Sequence, residues 1–163
     1  MSVAYSLRKI FLISALAVAI VAGSVSSSNA FLDKTRFVAH LGVAYFCFHH
    51  WVWKPYQQGA FAPGAPHRVS TIVKGGIALL FAVHEVGVAK KIADKSNDPL
   101  LRKLDGSLAT LTASLGTIGE KLKHGSFDPK DIDVLNNLTG TVRTQAAADG
   151  ATIKDVPVPI PGT

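Results

Sequence analysis

The stretch of residues 37–53, FVAHLGVAYFCFHHWVW, constrains the fold more than any other part of the chain. A helix through these residues presents an apolar side chain on every face, so it has no polar side to turn towards water. Helices that are apolar all round lie in membranes or in large protein cores. A second such stretch, residues 75–89, follows a loop rich in proline and glycine, and the two together predict an apolar helical hairpin.

The first 30 residues have the pattern of a secretory signal peptide. Arg8 and Lys9 form a basic start, residues 10–23 form an apolar run, and a stretch of small polar residues ends in Ser-Asn-Ala at Ala30. This pattern predicts a signal peptide at residues 1–30 that is cleaved after Ala30. The alternative is an uncleaved anchor, although the apolar run of about 14 residues is shorter than the roughly 17 to 25 that a membrane span needs.

Residues 31–95 are predicted to form the apolar hairpin, embedded in or lying on a membrane, with Asp33 capping its first helix. Trp53 and Tyr56 beside Lys54 are typical of a membrane–water boundary. The alternative is a soluble or oligomeric bundle. In that case each apolar helix would leave an apolar back exposed, because a mature chain of about 133 residues has little other surface to cover it.

Residues 96–148 predict an amphipathic pair of antiparallel helices. Asp98 before Pro99, and Asp128 before Pro129, each place a capping carboxylate ahead of a proline at the first helical position. After the first of these starts, apolar residues recur at alternating steps of three and four, which is the spacing of a heptad seam: Leu101, Leu104, Leu108, Leu111, Leu115, Ile118 and Leu122. Small side chains instead of charged ones flank this seam, which favours a closely packed partner helix within the same chain.

Residues 149–163 end in VPVPIPGT, where alternate prolines forbid a helix and predict an extended tail. Such a tail is either a solvated spacer or a segment that docks into an aromatic groove. The predicted fold is therefore all-α: a signal peptide, an apolar two-helix hairpin and an amphipathic antiparallel hairpin, with four helices in the mature chain.

Histidines are the most notable candidates for a binding site. If the hairpin turns near Ala62 and Pro63, residues whose numbers sum to about 124 lie at equal depth. His40 then lies level with His84 and beside Glu85. Two histidines from facing helices can ligate haem or a metal, and the alternative is a polar pair of His40 with Glu85 that satisfies its own hydrogen bonds.

No motif in the sequence indicates catalysis. His84-Glu85 begins like a zinc-protease motif, but the second histidine is missing. Cys47 is the only cysteine, so one chain forms no internal disulfide and no thiolate metal cluster. The net charge of +6 is spread along the chain, which does not favour a nucleic-acid partner.

The sequence favours a non-enzymatic protein of the cell membrane or an exported protein, with its C-terminal part outside the cytoplasm and a structural or interaction role. Its expected partners are membrane lipid and another protein or a second copy, bound through the apolar hairpin or the leucine seam. No cofactor is expected in this interpretation. Two alternatives remain: a haem- or metal-binding membrane protein that uses His40 and His84, and a secreted helical protein that binds a lipid-like ligand.

Overall fold

In a computed structural model of the chain, residues 29–126 and 128–159 are described. They form a helical, bundle-like fold of five helices, with no strand in these two ranges. The predicted all-α class is therefore confirmed. The predicted signal peptide lies outside the described residues apart from Asn29 and Ala30, which are already helical.

The first helix, α1, is described from residue 29 and ends at Gln57. It is α-helical to residue 48, widens into a π-helical turn at His49–Trp53 and returns to α geometry at Lys54–Gln57. Pro55 accounts for the wide turn, because it has no N–H to donate and its ring clashes with the carbonyl four residues earlier. The prediction that Asp33 caps this helix is wrong, since the helix already includes the residues before it.

The second helix, α2, spans Arg68–Lys95. Between α1 and α2 the chain makes the turns predicted from its proline and glycine content. Gly59 and Gly64 have φ angles of 75° and 84°, and His67, the residue before α2, has a φ of 56°. Glycine adopts this left-handed region without strain, whereas histidine does so less readily.

The remaining helices are α3, Pro99–Lys103, α4, Asp105–Lys123, and α5, Pro129–Ala148. Asp98 accepts a 2.9 Å hydrogen bond from the backbone N–H of Leu100, which confirms the predicted cap at the start of α3. The predicted cap of α5 is confirmed as well, because Asp128 accepts from the backbone N–H of Lys130 at 2.9 Å.

The heptad segment is broken into two helices, so the described chain has five helices where the sequence predicted four. The break lies at Leu104, whose N–H donates to the carbonyl of Leu101, only three residues back, at 3.2 Å. Leu108 then donates to the carbonyl of Leu104 at 2.9 Å, and α4 continues from there. This tight turn allows both Leu101 and Leu104 to remain buried.

Helix α2 lies between α1 and α4, and glycines mark both contacts. A Cβ atom on Gly75 would lie 3.1 Å from the carbonyl oxygen of Trp51 in α1. A Cβ atom on Gly76 would lie 2.8 Å from the carbonyl oxygen of Gly119 in α4 and would collide with the backbone of Lys123. Two helices approach this closely only where side chains are absent.

The C-terminal tail leaves α5 at Gly150, which has a φ of 73°. Residues 151–159 contain no helix or strand, in agreement with the predicted extended tail. The tail is nevertheless not a solvated spacer, because Ala151 and Ile153 are only 2% and 3% exposed. Both belong to the same apolar core as α1 and α5.

Candidate functional site

The structure joins His40 of α1 to Glu85 of α2. Nδ1 of His40 lies 2.7 Å from Oε2 of Glu85, within hydrogen-bond distance, and both side chains are partly buried. The sequence predicted this polar pair as the alternative to ligation of haem or a metal by His40. His84, the neighbour of Glu85, has an exposed side chain.

The two predicted haem ligands therefore have different surroundings. His40 has one ring nitrogen occupied by a carboxylate, whereas His84 lies on the surface of α2. In the part of the chain that the structure describes, no group of three or more histidine, cysteine or carboxylate side chains is arranged to hold a metal ion. The pair of His40 with Glu85 acts as a polar link between two apolar helices.

All seven residues of the predicted leucine seam are buried inside the chain: Leu101, Leu104, Leu108, Leu111, Leu115, Ile118 and Leu122. Helix α2 covers α4 on one side and α5 packs against it on another. The seam is thus filled by helices of the same chain, and no part of it is available to a separate protein partner in this structure.

A second polar cluster, which we call the Asp155 cluster, joins α1, α5 and the tail. Asp155 lies 2.7 Å from Nδ1 of His49 and accepts a 3.0 Å hydrogen bond from Nη2 of Arg143. The Arg143 guanidinium also lies 4.8 Å from the centre of the Tyr45 ring, a cation–π contact. The Tyr45 hydroxyl donates to the carbonyl of Thr139 at 2.5 Å, and burial raises the pKa of this phenol.

Sequence reasoning missed the Asp155 cluster because no local pattern connects its members. His49 and Asp155 are 106 residues apart, and Asp155 lies in a stretch that the prolines marked only as extended. A signal was present in hindsight: His49 lies just ahead of Pro55, whose missing N–H favours an irregular turn, and such turns reorient side chains.

Cys47 is buried and has the properties of a small apolar side chain. Burial, with a smaller effect of the nearby Glu85 charge, raises the pKa of its thiol to about 12. The thiolate is the nucleophilic form of cysteine. At neutral pH the Cys47 side chain is therefore a protonated thiol, which does not suit catalysis.

The buried side of α2 and the side opposite to it differ in the size of their side chains. Small residues are frequent on its buried side, which consists of Ile72, Gly75, Gly76, Ala78, Leu79, Ala82, Val86, Ala89 and Ala93. The opposite side, which we call the outward face, consists of four half-buried apolar residues and one exposed histidine: Val73, Ile77, Phe81, His84 and Val88. Ile77 and Phe81 also pack in part against the core. An amphipathic helix in water shows the reverse, with polar side chains outward.

By length and composition, Arg68–Lys95 is the one helix of the described residues that is apolar enough to cross a membrane. Half of its most apolar 18-residue stretch is buried within the protein. Core helices of soluble proteins also pass this test, so hydropathy by itself does not decide the role of α2. The residues on its outward face carry more information.

A cleft of about 420 Å³ lies at one end of the bundle, between the α1–α2 loop and the start of α5. Aromatic and apolar side chains form most of its wall, and Arg68 is the one charged residue: Tyr56, Gly59, Phe61, Ala62, Pro63, Arg68 and Pro129. Nε of Arg68 donates to the carbonyl of Phe61 at 2.8 Å, which fixes the guanidinium at the wall.

Compared with family models, curated proteins and solved structures, the chain finds no match in any of the three. Two features of the structure suggest a ligand: the outward face of α2 and the cleft at the end of the bundle.

Proposed function

We propose that this chain is a non-enzymatic helical protein of the cell envelope that rests against a lipid surface through the outward face of α2. Its role is structural or interactive. In this proposal residues 1–30 direct export, residues 31–95 form the apolar two-helix hairpin, and the C-terminal part lies outside the cytoplasm.

The distribution of side-chain size on α2 carries the proposal. Helices that pack together in lipid place glycine and alanine at their contacts and larger apolar side chains towards the hydrocarbon. The buried side of α2 has six glycines and alanines among its nine residues. Its outward face has Ile77, Phe81 and Val88, which no other described element covers completely.

Two basic residues of α2 lie beside the outward face, where they can reach lipid headgroups. Lys74 and Lys91 are exposed and flank the outward face, about 26 Å apart along a helix with a rise of 1.5 Å per residue. Long basic side chains can lay their methylene groups on an apolar surface while the ammonium reaches lipid headgroups. Residues 34–84 contain no aspartate or glutamate, so no carboxylate of this stretch would repel an anionic lipid.

We propose that α2 rests on the lipid with the bundle intact and does not leave it to cross the bilayer. Its other side is occupied by α1 and α4, whose backbones approach Gly75 and Gly76 so closely that a Cβ atom there would not fit without a shift. Exposing that glycine-rich side to lipid would break close van der Waals contacts and remove α4 from its partner. The outward face can meet lipid without either change.

Binding to lipid vesicles tests the proposal. The full chain should sediment with phosphatidylcholine vesicles, and more strongly when phosphatidylglycerol is included. The double variant Ile77→Lys with Phe81→Lys should bind at least about tenfold less, because burying each apolar side chain contributes on the order of 1.5 to 3 kcal/mol. Circular dichroism melting should show that this variant still unfolds cooperatively.

A matched control adds two lysines to another helix, in the variant Val134→Lys with Asn137→Lys. Both side chains are exposed on α5, Val134 by 47%. This control should bind vesicles at least as well as the unchanged chain. If both double variants bind equally, the outward face of α2 is not the lipid-binding surface and the proposal fails.

The cleft at the end of the bundle supports a second candidate function, the binding of a lipid-like ligand. Its apolar wall suits an acyl chain and Arg68 suits a carboxylate at its head. A fluorescent fatty acid should bind the full chain, and Arg68→Gln should weaken binding about tenfold, because hydrogen bonds to charged groups contribute about 1.5 to 3 kcal/mol. Lys91→Gln, at the far end of α2, should leave the affinity unchanged.

The haem alternative has no comparable support. Glu85 occupies one ring nitrogen of His40, and His84 is exposed.

A further inference from the structure

The C-terminal tail follows α1 from its start to its π-helical turn. Nζ of Lys34 donates to the carbonyl of Asp149 at 3.0 Å. Further along, the N–H of Val156 donates to the carbonyl of Gly42 at 2.9 Å, and Asp155 reaches His49. The tail and α1 therefore run in the same direction.

The backbone of the tail reaches α1 at Gly42. From Lys34 to Gly42 an α-helix rises about 12 Å, at 1.5 Å per residue. From Asp149 to Val156 a fully extended chain would span about 23 Å, at roughly 3.3 Å per residue. The tail therefore has more length than this path requires, and it buries Ala151 and Ile153 between the two contacts.

Gly42 forms the floor of the contact. A Cβ atom on Gly42 would collide with the carbonyl oxygen of Lys154 and the side chain of Val156. The backbone of the tail thus lies directly on the backbone of α1. Any residue other than glycine at this position would hold the tail away from the helix.

Side chains on both sides of Gly42 complete a groove that recognises a defined sequence. Ala151 and Ile153 enter the apolar core, so these positions require apolar side chains of limited size. Asp155 pairs with His49 of α1 and Arg143 of α5, which select a carboxylate from two directions. We call this surface the tail groove.

We propose that the tail groove is an exchangeable docking site and that the partner it fits is the tail of a second copy of this chain. Residues 151–156 are the one segment shown to fit the groove, and every copy carries them. Asp155 and Val156 are exposed where they cross α1, so no described helix covers them. To leave the groove, the tail has to withdraw Ala151 and Ile153 from the core and release Asp155 from Arg143 of α5. Gly150, with a φ of 73°, is the turn at which the tail departs from α5.

Exchange between copies conserves every contact, since the same residues meet in either arrangement. Within one chain the tail has the advantage of a high effective concentration. Exchange between chains is therefore favoured where copies are crowded, or where a chain whose own groove is blocked has a free tail and another chain has an empty groove. This inference does not depend on the outward face of α2 or on lipid.

Two full-length variants with complementary defects test the proposal. In the donor, Gly42→Ala blocks the groove and sets the tail free. In the acceptor, Asp155→Ala removes the carboxylate of the tail, and Val156→Pro removes the N–H that donates to Gly42. These two substitutions disable the tail and leave the groove intact. Sedimentation of differently labelled variants should show one-to-one dimers in the mixture, at least about tenfold tighter than the self-association of either variant.

The matched control donor is Gly87→Ala, because a Cβ atom on Gly87 meets nothing within 4 Å and its tail stays in its own groove. A mixture of this control with the acceptor should remain monomeric. If Gly42→Ala does not fold, a donor with His49→Ala and Arg143→Ala loses both side chains that bind Asp155 and should give the same dimers. The proposal is overturned if cooperatively folded donor and acceptor associate no more together than each does separately.

Discussion

Helices α2 and α4 pack against each other, yet they distribute their side chains in opposite ways. Helix α4 buries large residues, namely Leu108, Leu111, Leu115, Ile118 and Leu122 with the single Gly119. Its remaining surface carries mostly small and polar side chains. Helix α2 buries many glycines and alanines and leaves Ile77 and Phe81 half-buried on its outward face.

The difference shows that a helix rich in apolar residues does not necessarily bury its largest apolar side chains in the core. For α4 the apolar residues coincide with the buried side, so hydrophobic burial explains its place in the bundle. For α2 the close approach of backbones explains its place, and the large side chains remain for another surface. Two experiments test this contrast between α2 and α4, and two further experiments test the starts of α5 and α2 and the burial of Cys47 in α1.

The largest effect is expected from shortening a buried leucine of α4. Leu111 is 1% exposed, and Leu111→Ala should lower the free energy of unfolding by about 2 to 5 kcal/mol, because it leaves a cavity. The matched change on the outward face of α2, Ile77→Ala, should cost less than about 1.5 kcal/mol, since this side chain is only half-buried. Urea unfolding followed by circular dichroism measures both. Equal losses would contradict the contrast.

The next effect concerns the crossing of α2 and α4. Gly76→Ala should cost about 1 to 3 kcal/mol, because the new methyl group meets the backbone of α4, which cannot rotate away. Gly87→Ala in the same helix has open space around it and should stabilise the protein by roughly 0.5 to 1 kcal/mol. If the two substitutions shift the melting temperature in the same direction, the close crossing is not a main determinant of α2 packing.

A smaller effect is expected at the starts of the helices. Asp128→Ala removes the cap of α5 and should cost about 1 kcal/mol. The residue before α2, His67, makes no side-chain cap bond, so His67→Ala should change stability by less than about 0.5 kcal/mol. Thermal unfolding of the two variants separates a capped start from an uncapped one. A loss at His67 as large as at Asp128 would mean that α2 also depends on the residue that precedes it.

The smallest effect at neutral pH concerns Cys47. Its folded pKa of about 12 lies above the ordinary thiol value of 9.0, so the folded state holds the proton more tightly than the unfolded chain does. This contribution to stability is complete below about pH 9 and is lost as the pH rises towards 12. Cys47→Ala should remove this part of the alkaline loss of stability.

The native thiol should also react with iodoacetamide far more slowly than the urea-unfolded thiol, and equal rates would show that Cys47 is accessible.

Local patterns in the sequence predicted much of the fold. Asp98 and Asp128 signalled helix starts because capping and proline at the first turn act within a few residues. The proline and glycine content between α1 and α2 marked a loop, in which Gly59 and Gly64 have φ angles of 75° and 84°. The leucine seam identified the buried side of α4, since its period is that of a helix.

Features that depend on distant contacts could not be predicted in the same way. The break at Leu104 is invisible to a heptad pattern that continues across it. The tail groove requires Gly42 to meet Lys154, and no periodicity connects a glycine in an apolar helix with an extended segment more than a hundred residues later. For His40 and Glu85 the assumed turn gave the right neighbour, although α1 widens into a π-helical turn between His40 and the loop.

The tail follows α1 in the chain by more than a hundred residues, and this gives assembly a fixed order. Val156 leaves the ribosome long after Gly42, on the order of ten seconds later at ordinary rates of translation. Throughout that interval the partly made chain presents α1 with its groove unfilled. A chain that stops before the tail, or one clipped after α5, cannot fill this groove itself, so only the tail of another copy can occupy it.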